Sequence, residues 1–187
     1  LVLGTIAALA TFTLFYIMTV FSLSWGTSQI GLGYTRGEFL PIQMLGVVFF
    51  GLLIPVSAVL ADRFGRRNVL LGTALAICVF GFFMPALFGG GSLAGVIAFS
   101  VIGFALMGMT YGPLGTALAE LFPTAVRYTG SSMTFNLGGI VGASLAPYIA
   151  TSLATSYGIA SGGYYLSIAG FLTALALFAI PAKPKAM

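Results

Sequence analysis

Seven basic and three acidic side chains are all the charge in this 187-residue chain, and most of it falls in two short clusters. One is Asp62-Arg63-Phe64-Gly65-Arg66-Arg67; the other runs from Glu120 to Arg127 and contains Pro123. Carboxylates beside guanidiniums can form two-pronged, charge-assisted hydrogen bonds, and Gly65 can make a tight turn because it takes a positive φ without steric cost. Asp62 can sit near the positive end of a neighbouring helix, while Arg66 and Arg67 can reach carboxylates or lipid phosphates. A plainer reading makes the arginines topology anchors, which accounts for the charge but not for an Asp and a Gly set among them. The chain has no His and a single Cys, Cys78. Disulfides, zinc sites built from Cys and His, and every His-based triad are excluded. An intramembrane serine protease that needs a His partner is excluded with them. No catalytic residue, metal site or cofactor is expected, and the chain does not read as an enzyme.

The elements that hold these groups follow from composition. Hydrophobic residues make up 59% of the chain and charged ones 5%, with a formal charge of +4 and a mean hydropathy of +1.12. A soluble domain carries about 25% charged residues, so this chain cannot clothe itself for water, and disorder needs the opposite composition. Its bases are too sparse for a nucleic-acid footprint. The lipid bilayer is the expected solvent. A helix crossing a hydrocarbon core of about 30 Å needs roughly 20 apolar residues, and six stretches qualify: 1–23, 39–60, 68–88, 93–118, 128–154 and 163–180. The breaks between them fall at 24–37, 62–67, 89–92, 120–127 and 155–162. A transmembrane β-barrel would show alternating segments of about ten residues; these runs are longer and uniformly apolar. The fold class expected is all-α, a polytopic bundle of six spans.

Arg63, Arg66, Arg67, Arg127, Lys183 and Lys185 fall on one side of that bundle, and only Arg36 on the other. By the positive-inside rule the arginine-rich side is cytoplasmic, and both ends of the chain lie there. Leu1 opens directly inside a span with no start Met or signal-peptide n-region, which reads as a fragment lacking an N-terminal part. Spans one to three match spans four to six in length, the layout of an internal repeat.

The stretch Ala58-Val59-Leu60-Ala61-Asp62-Arg63-Phe64-Gly65-Arg66-Arg67 resembles the loop signature G-x-L-A-D-R-x-G-R-R of the major facilitator superfamily, with Ala58 in place of the first Gly. Ala119-Glu120-Leu121-Phe122-Pro123-Thr124-Ala125-Val126-Arg127-Tyr128-Thr129-Gly130 resembles the loop between the fourth and fifth helices of a C-terminal half in that superfamily. With Asn136-Leu137-Gly138-Gly139 following, it is most similar to the metabolite:proton symporter branch, carriers of carboxylates and zwitterions. The resemblance covers the whole chain as helices seven to twelve of twelve. It implies a missing N-terminal six-helix bundle as partner, a small-molecule substrate, coupled protons, and a place in the plasma (inner) membrane.

The two loops suit each other. Besides Asp62, Glu120 is the acidic group available to Arg66, Arg67 and Arg127 on their side, and Pro123 favours a fresh helix start. A latch of Asp62, Arg66, Glu120 and Arg127, with Arg63, Gly65 and Arg67 in the same motif, would close the cytoplasmic gate. Exposed ion pairs are worth only about 0–1 kcal/mol, which suits a gate whose two states must stay nearly balanced.

No span carries an ionisable group near its centre, so proton coupling would rest on the missing half. Arg36 and Glu38 stand at the outer interface, where mutual pairing makes them cheap. The polar groups left inside are Tyr16, Thr19, Gln43, Thr110, Tyr111, Ser132, Asn136 and Ser144. Tyr16, Gln43, Tyr111 and Asn136 are the candidates for a substrate cavity, against the alternative that they hold helices together. Serines and threonines are expected to bond their own helices. Spans three and six, nearly free of strong hydrogen-bonding groups, fit outer supports. Gly108 with Gly112, and Gly138 with Gly142 and Ala146, have the spacing of close helix seams. Pro55, Pro113 and Pro147 should kink their spans. Cys78 reads as a small buried hydrophobe and Trp25 as part of an aromatic belt at the outer boundary.

The function expected is alternating-access transport of a small organic acid or zwitterion, this chain being one wall of the site. The alternative is a truncated, non-transporting membrane protein that pairs with another bundle. A channel would need a polar stripe or charged ring, and neither is visible.

Overall fold

The computed structural model describes residues 1–180; Lys183 and Lys185 lie outside the described residues. Among the described residues six helices are long and apolar enough to cross a bilayer: Val2–Thr27, Arg36–Phe64, Arg66–Leu87, Leu93–Ala119, Thr124–Tyr157 and Ile159–Ala179. They are spans one to six below. No strand occurs among the described residues.

Turn chemistry sets the boundaries. Span one runs on to Thr27, past its expected end near 23, because the Trp25 carbonyl takes both the Ser28 and Leu32 N–H groups and folds the chain back. Span two starts at a capping box: the Thr35 hydroxyl accepts from the Glu38 N–H at 3.3 Å, and the Glu38 carboxylate accepts from the Thr35 N–H at 2.9 Å. Glu38 is thus engaged with Thr35, and the expected pairing with Arg36 is absent among the described residues. The N-terminal dipole supplies what Arg36 was expected to give. Spans two and three meet at Gly65 alone, with φ 92°. Gly91 (φ 67°) and the cap on Ser92, whose hydroxyl accepts from Gly95 N–H at 3.1 Å, turn span three into span four.

The helical ladder widens to a π turn at Ile17–Phe21, Pro85–Gly89 and Ile140–Ser144. The third lies just before Pro147, which has no N–H to give and crowds the carbonyl four residues back, so span five breaks where a proline effect is expected. Pro55 and Pro113 lie inside continuous α-helix and do not interrupt it.

Packing is by small residues and aromatic rings. Gly108 and Gly112 of span four face the Phe50 and Ile54 carbonyls of span two, and the Ser57 hydroxyl sits between the helices, 3.1 Å from the Gly108 carbonyl. Gly138 and Gly142 of span five face Ala8, Leu9 and Phe12 of span one. Spans three and six form a further seam. There Gly81 meets Gly163, Gly170 meets Ala74 and Cys78, and the Ser167 hydroxyl donates to the Cys78 carbonyl at 2.7 Å. Cys78 is half-buried rather than sealed. Thr173 of span six lies between Ile6 and Ala10 of span one, donating to the Ile6 carbonyl (2.8 Å) and accepting from Ala10 N–H (3.0 Å). At the other end, Phe88 stacks on Phe99 with ring centroids 4.4 Å apart, and Phe99 on Phe80 at 5.3 Å. Outside, Phe82, Phe83, Phe171 and Phe178 are exposed, as a bilayer-facing surface requires.

Candidate functional site

At the arginine-rich end, the turn at Gly65 places Arg66 in the first turn of span three, beside the end of span four. Its guanidinium forms an ion pair with Glu120 through Nη1 and lies 3.4 Å from the Asp62 carboxylate through Nη2. Arg67 points the other way, to the end of span six. Its Nε donates to the Leu177 carbonyl at 2.7 Å and its Nη2 to the Phe178 carbonyl at 2.9 Å. Those carbonyls belong to a last helical turn, where donors are missing and a cation is favoured by the dipole. The Phe178 ring centroid is 5.9 Å from the same guanidinium. Arg63 sits over the Phe64 ring at 5.4 Å. Arg127, expected with Glu120, instead directs its Nε to the Phe122 carbonyl at 3.5 Å, the reach of a helix-start residue across its own loop. A cavity of about 90 Å³ adjoins the cluster, lined by the half-buried Arg66, Arg67 and Glu120 and by the buried Ala7, Leu70 and Leu114 among others.

The polar groups within the spans divide three ways. Tyr16 and Tyr111 belong to an aromatic patch: the Tyr111 ring lies 5.5 Å from Phe50 and 5.9 Å from Phe15, and Phe15 lies 5.2 Å from Tyr16. Both tyrosines are half-buried. Asn136 is exposed, bonded to its own helix through Ser132 (2.8 Å to the carbonyl), and borders a hollow of about 220 Å³ with Gly115, Tyr128 and Phe135. Gln43 is buried and turned to span one, away from both. Thr19, Thr110 and Thr134 bond carbonyls of their own helices, as expected of threonines in spans. Trp25 stacks on Phe21 at 5.9 Å in the last turn of span one.

The Major Facilitator Superfamily family model matches residues 1–187. The chain belongs to that superfamily. Among curated relatives of this superfamily chain, it is 48% identical over 179 residues to the inner membrane metabolite transport protein YhjE of Escherichia coli (strain K12), covering 94% of this chain and 41% of that protein. It is 31% identical to a citrate-proton symporter of Klebsiella pneumoniae (92% of this chain, 39% of that protein). Against the shikimate transporter of E. coli K12 the identity is 33% (85% and 35%). The superfamily chain thus spans about two-fifths of the length of these relatives.

Within the loop Asp62–Arg67 the residues do different jobs. Gly65 makes the turn, Arg66 bridges two carboxylates, and Arg67 caps a helix. Sequence reasoning missed the Arg67 cap, the Thr173 clasp and the π turn that receives Gln43. The small residues Gly163, Ser167 and Gly170 were a readable signal for the third seam; nothing in the sequence marks a π turn.

Proposed function

We propose that the chain is helices seven to twelve of a metabolite carrier and works by alternating access against an N-terminal six-helix bundle. The reading rests chiefly on its likeness, over nearly its whole length, to relatives named as metabolite transport proteins and symporters. Its arginine-rich end is cytoplasmic on this reading, the membrane is the inner one, and both ends of the chain face the cytoplasm. Tyr16, Tyr111 and Asn136 form part of one wall of the substrate path, where phenol and amide groups can hydrogen-bond a carboxylate or zwitterion. The cluster of Asp62, Arg66 and Glu120 latches the cytoplasmic gate, with Arg127 joining only if its loop moves. Transport is symport with protons. No charged group lies near the centre of any span among the described residues, so the titrating group belongs to the partner bundle.

Uptake of labelled citrate and shikimate by vesicles carrying the full-length protein tests this. Saturable uptake driven by an inward proton gradient and abolished by a protonophore is the expected result. Uptake indifferent to the gradient would remove proton coupling. No uptake of any organic acid or zwitterion, with a stable partner protein co-purifying, would favour a non-transporting bundle.

A further inference from the structure

Span one carries an extra residue in its middle, and a side chain from span two is fitted to the consequence. In the π turn Ile17–Phe21 the Ser22 N–H bonds the Ile17 carbonyl, five residues back. The Met18 carbonyl therefore loses the N–H that an α-helix would give it. In its place the Gln43 amide donates to the Met18 carbonyl at 2.9 Å and to the Ser22 hydroxyl at 2.9 Å, and lies 3.4 Å from the Thr19 carbonyl. The Ser22 hydroxyl in turn donates to the Met18 carbonyl. Gln43, Met18 and Ser22 are all buried, so no water can substitute.

Both halves of span one are fixed by other contacts. Below the turn, Thr173 clasps Ile6 and Ala10, and Gly138 and Gly142 press on Ala8 and Phe12. Above it, Gly26 lies against the Phe39 ring. One inserted residue in an α-helix turns the two halves by about 100° relative to each other, and the π turn absorbs that rotation. Tyr16 stands immediately before it.

We propose that Gln43 is a positioning residue: it holds the π turn of span one open and thereby sets the face on which Tyr16 stands. It does so through backbone carbonyls and not by touching substrate. The geometry stands independently of transport; only the consequence for Tyr16 rests on the carrier reading above.

The test uses the full-length protein in lipid nanodiscs and follows amide hydrogen exchange of residues 15–23. Gln43→Leu takes the amide donor from the Met18 carbonyl and leaves it the Ser22 hydroxyl alone, and exchange in that segment rises by at least about tenfold, with spans three and six unchanged. Gln43→Glu offers at most one O–H donor in place of two N–H donors and falls between wild type and Leu. Deleting Val20, an exposed side chain, makes the Ser22-to-Ile17 bond an ordinary four-residue one and returns the next N–H to Met18. In that background Gln43→Leu has no further effect. Equal exchange in wild type and Gln43→Leu overturns the proposal, and so does an effect of Gln43→Leu that persists undiminished when Val20 is absent. If the deletion does not fold, the Leu and Glu variants still decide. In uptake, Gln43→Leu raises KM several-fold more than it lowers kcat. Changed exchange with unchanged KM would keep the π-turn role and remove the link to Tyr16; absence of uptake in every variant would count against the carrier reading alone.

Discussion

Arg66 holds two carboxylates from two different spans: it pairs with Glu120 at the end of span four, and with Asp62 one turn back at 3.4 Å. The arrangement ties the turn between spans two and three to the end of span four, near the turn into span five. It is not a deep lock. The Arg66 and Glu120 side chains are 34% and 45% exposed, so solvent screens them and the pair is worth at most about 1 kcal/mol.

That weakness predicts the size of the effect of breaking it. On the proposed latch and orientation, Glu120→Gln should shift the carrier toward its cytoplasm-open form by no more than about fivefold. The readout is the labelling rate of single cysteines placed on the cytoplasmic side of the full-length protein, in a background where Cys78 is Ala. A labelling pattern identical to wild type would exclude Arg66–Glu120 as a latch.

Arg67 has a separate task and should have a separate phenotype. Arg67→Gln removes both donors from the Leu177 and Phe178 carbonyls, which should destabilise the last turn of span six by about 1–2 kcal/mol. Hydrogen exchange of the final turn of span six should rise while labelling at the gate stays unchanged. Arg67→Lys should recover only part, since one ammonium cannot reproduce the fork.

Glycines of the same span should respond oppositely. A Cβ on Gly112 would run into the Ser57 hydroxyl and the Ile54 carbonyl, whereas a Cβ on Gly115 meets nothing within 4 Å. Gly112→Ala should therefore cost about 1–3 kcal/mol through overpacking. Gly115→Ala should be neutral or stabilise by about 0.5–1 kcal/mol through its gain in helix propensity. Thermal unfolding in detergent ranks the two.

At the start of span two the charge that matters is Glu38. Glu38→Ala should lose about 1 kcal/mol with the capping box, while Arg36→Ala should change stability by less than about 0.5 kcal/mol. Equal effects of the two would restore the direct pairing that the sequence suggested.

The spans were legible because lipid demands long apolar helices and turns need Gly or polar caps, and 62–67 and 89–92 carry both. Ends were displaced where turn chemistry outran hydropathy: span one extends to Thr27 and span two starts at Arg36. The seams at Gly108 and Gly138 followed from spacing. The partner of each polar group did not, because Gln43 has the same sequence signature whether it faces a cavity or a widened helical turn. Arg66 and Arg67 are adjacent and chemically identical, and only the relative placement of spans four and six separates a bridge from a cap.

Solute counterflow is the most direct test of the central claim that this chain is half of a carrier. Vesicles bearing the full-length protein are preloaded with an unlabelled organic acid, diluted, and given a trace of the same acid labelled. Transient accumulation of label above its outside concentration is the predicted result, because one site must face the two sides in turn. Simple equilibration without overshoot would contradict alternating access, and no protein-dependent entry would contradict transport itself.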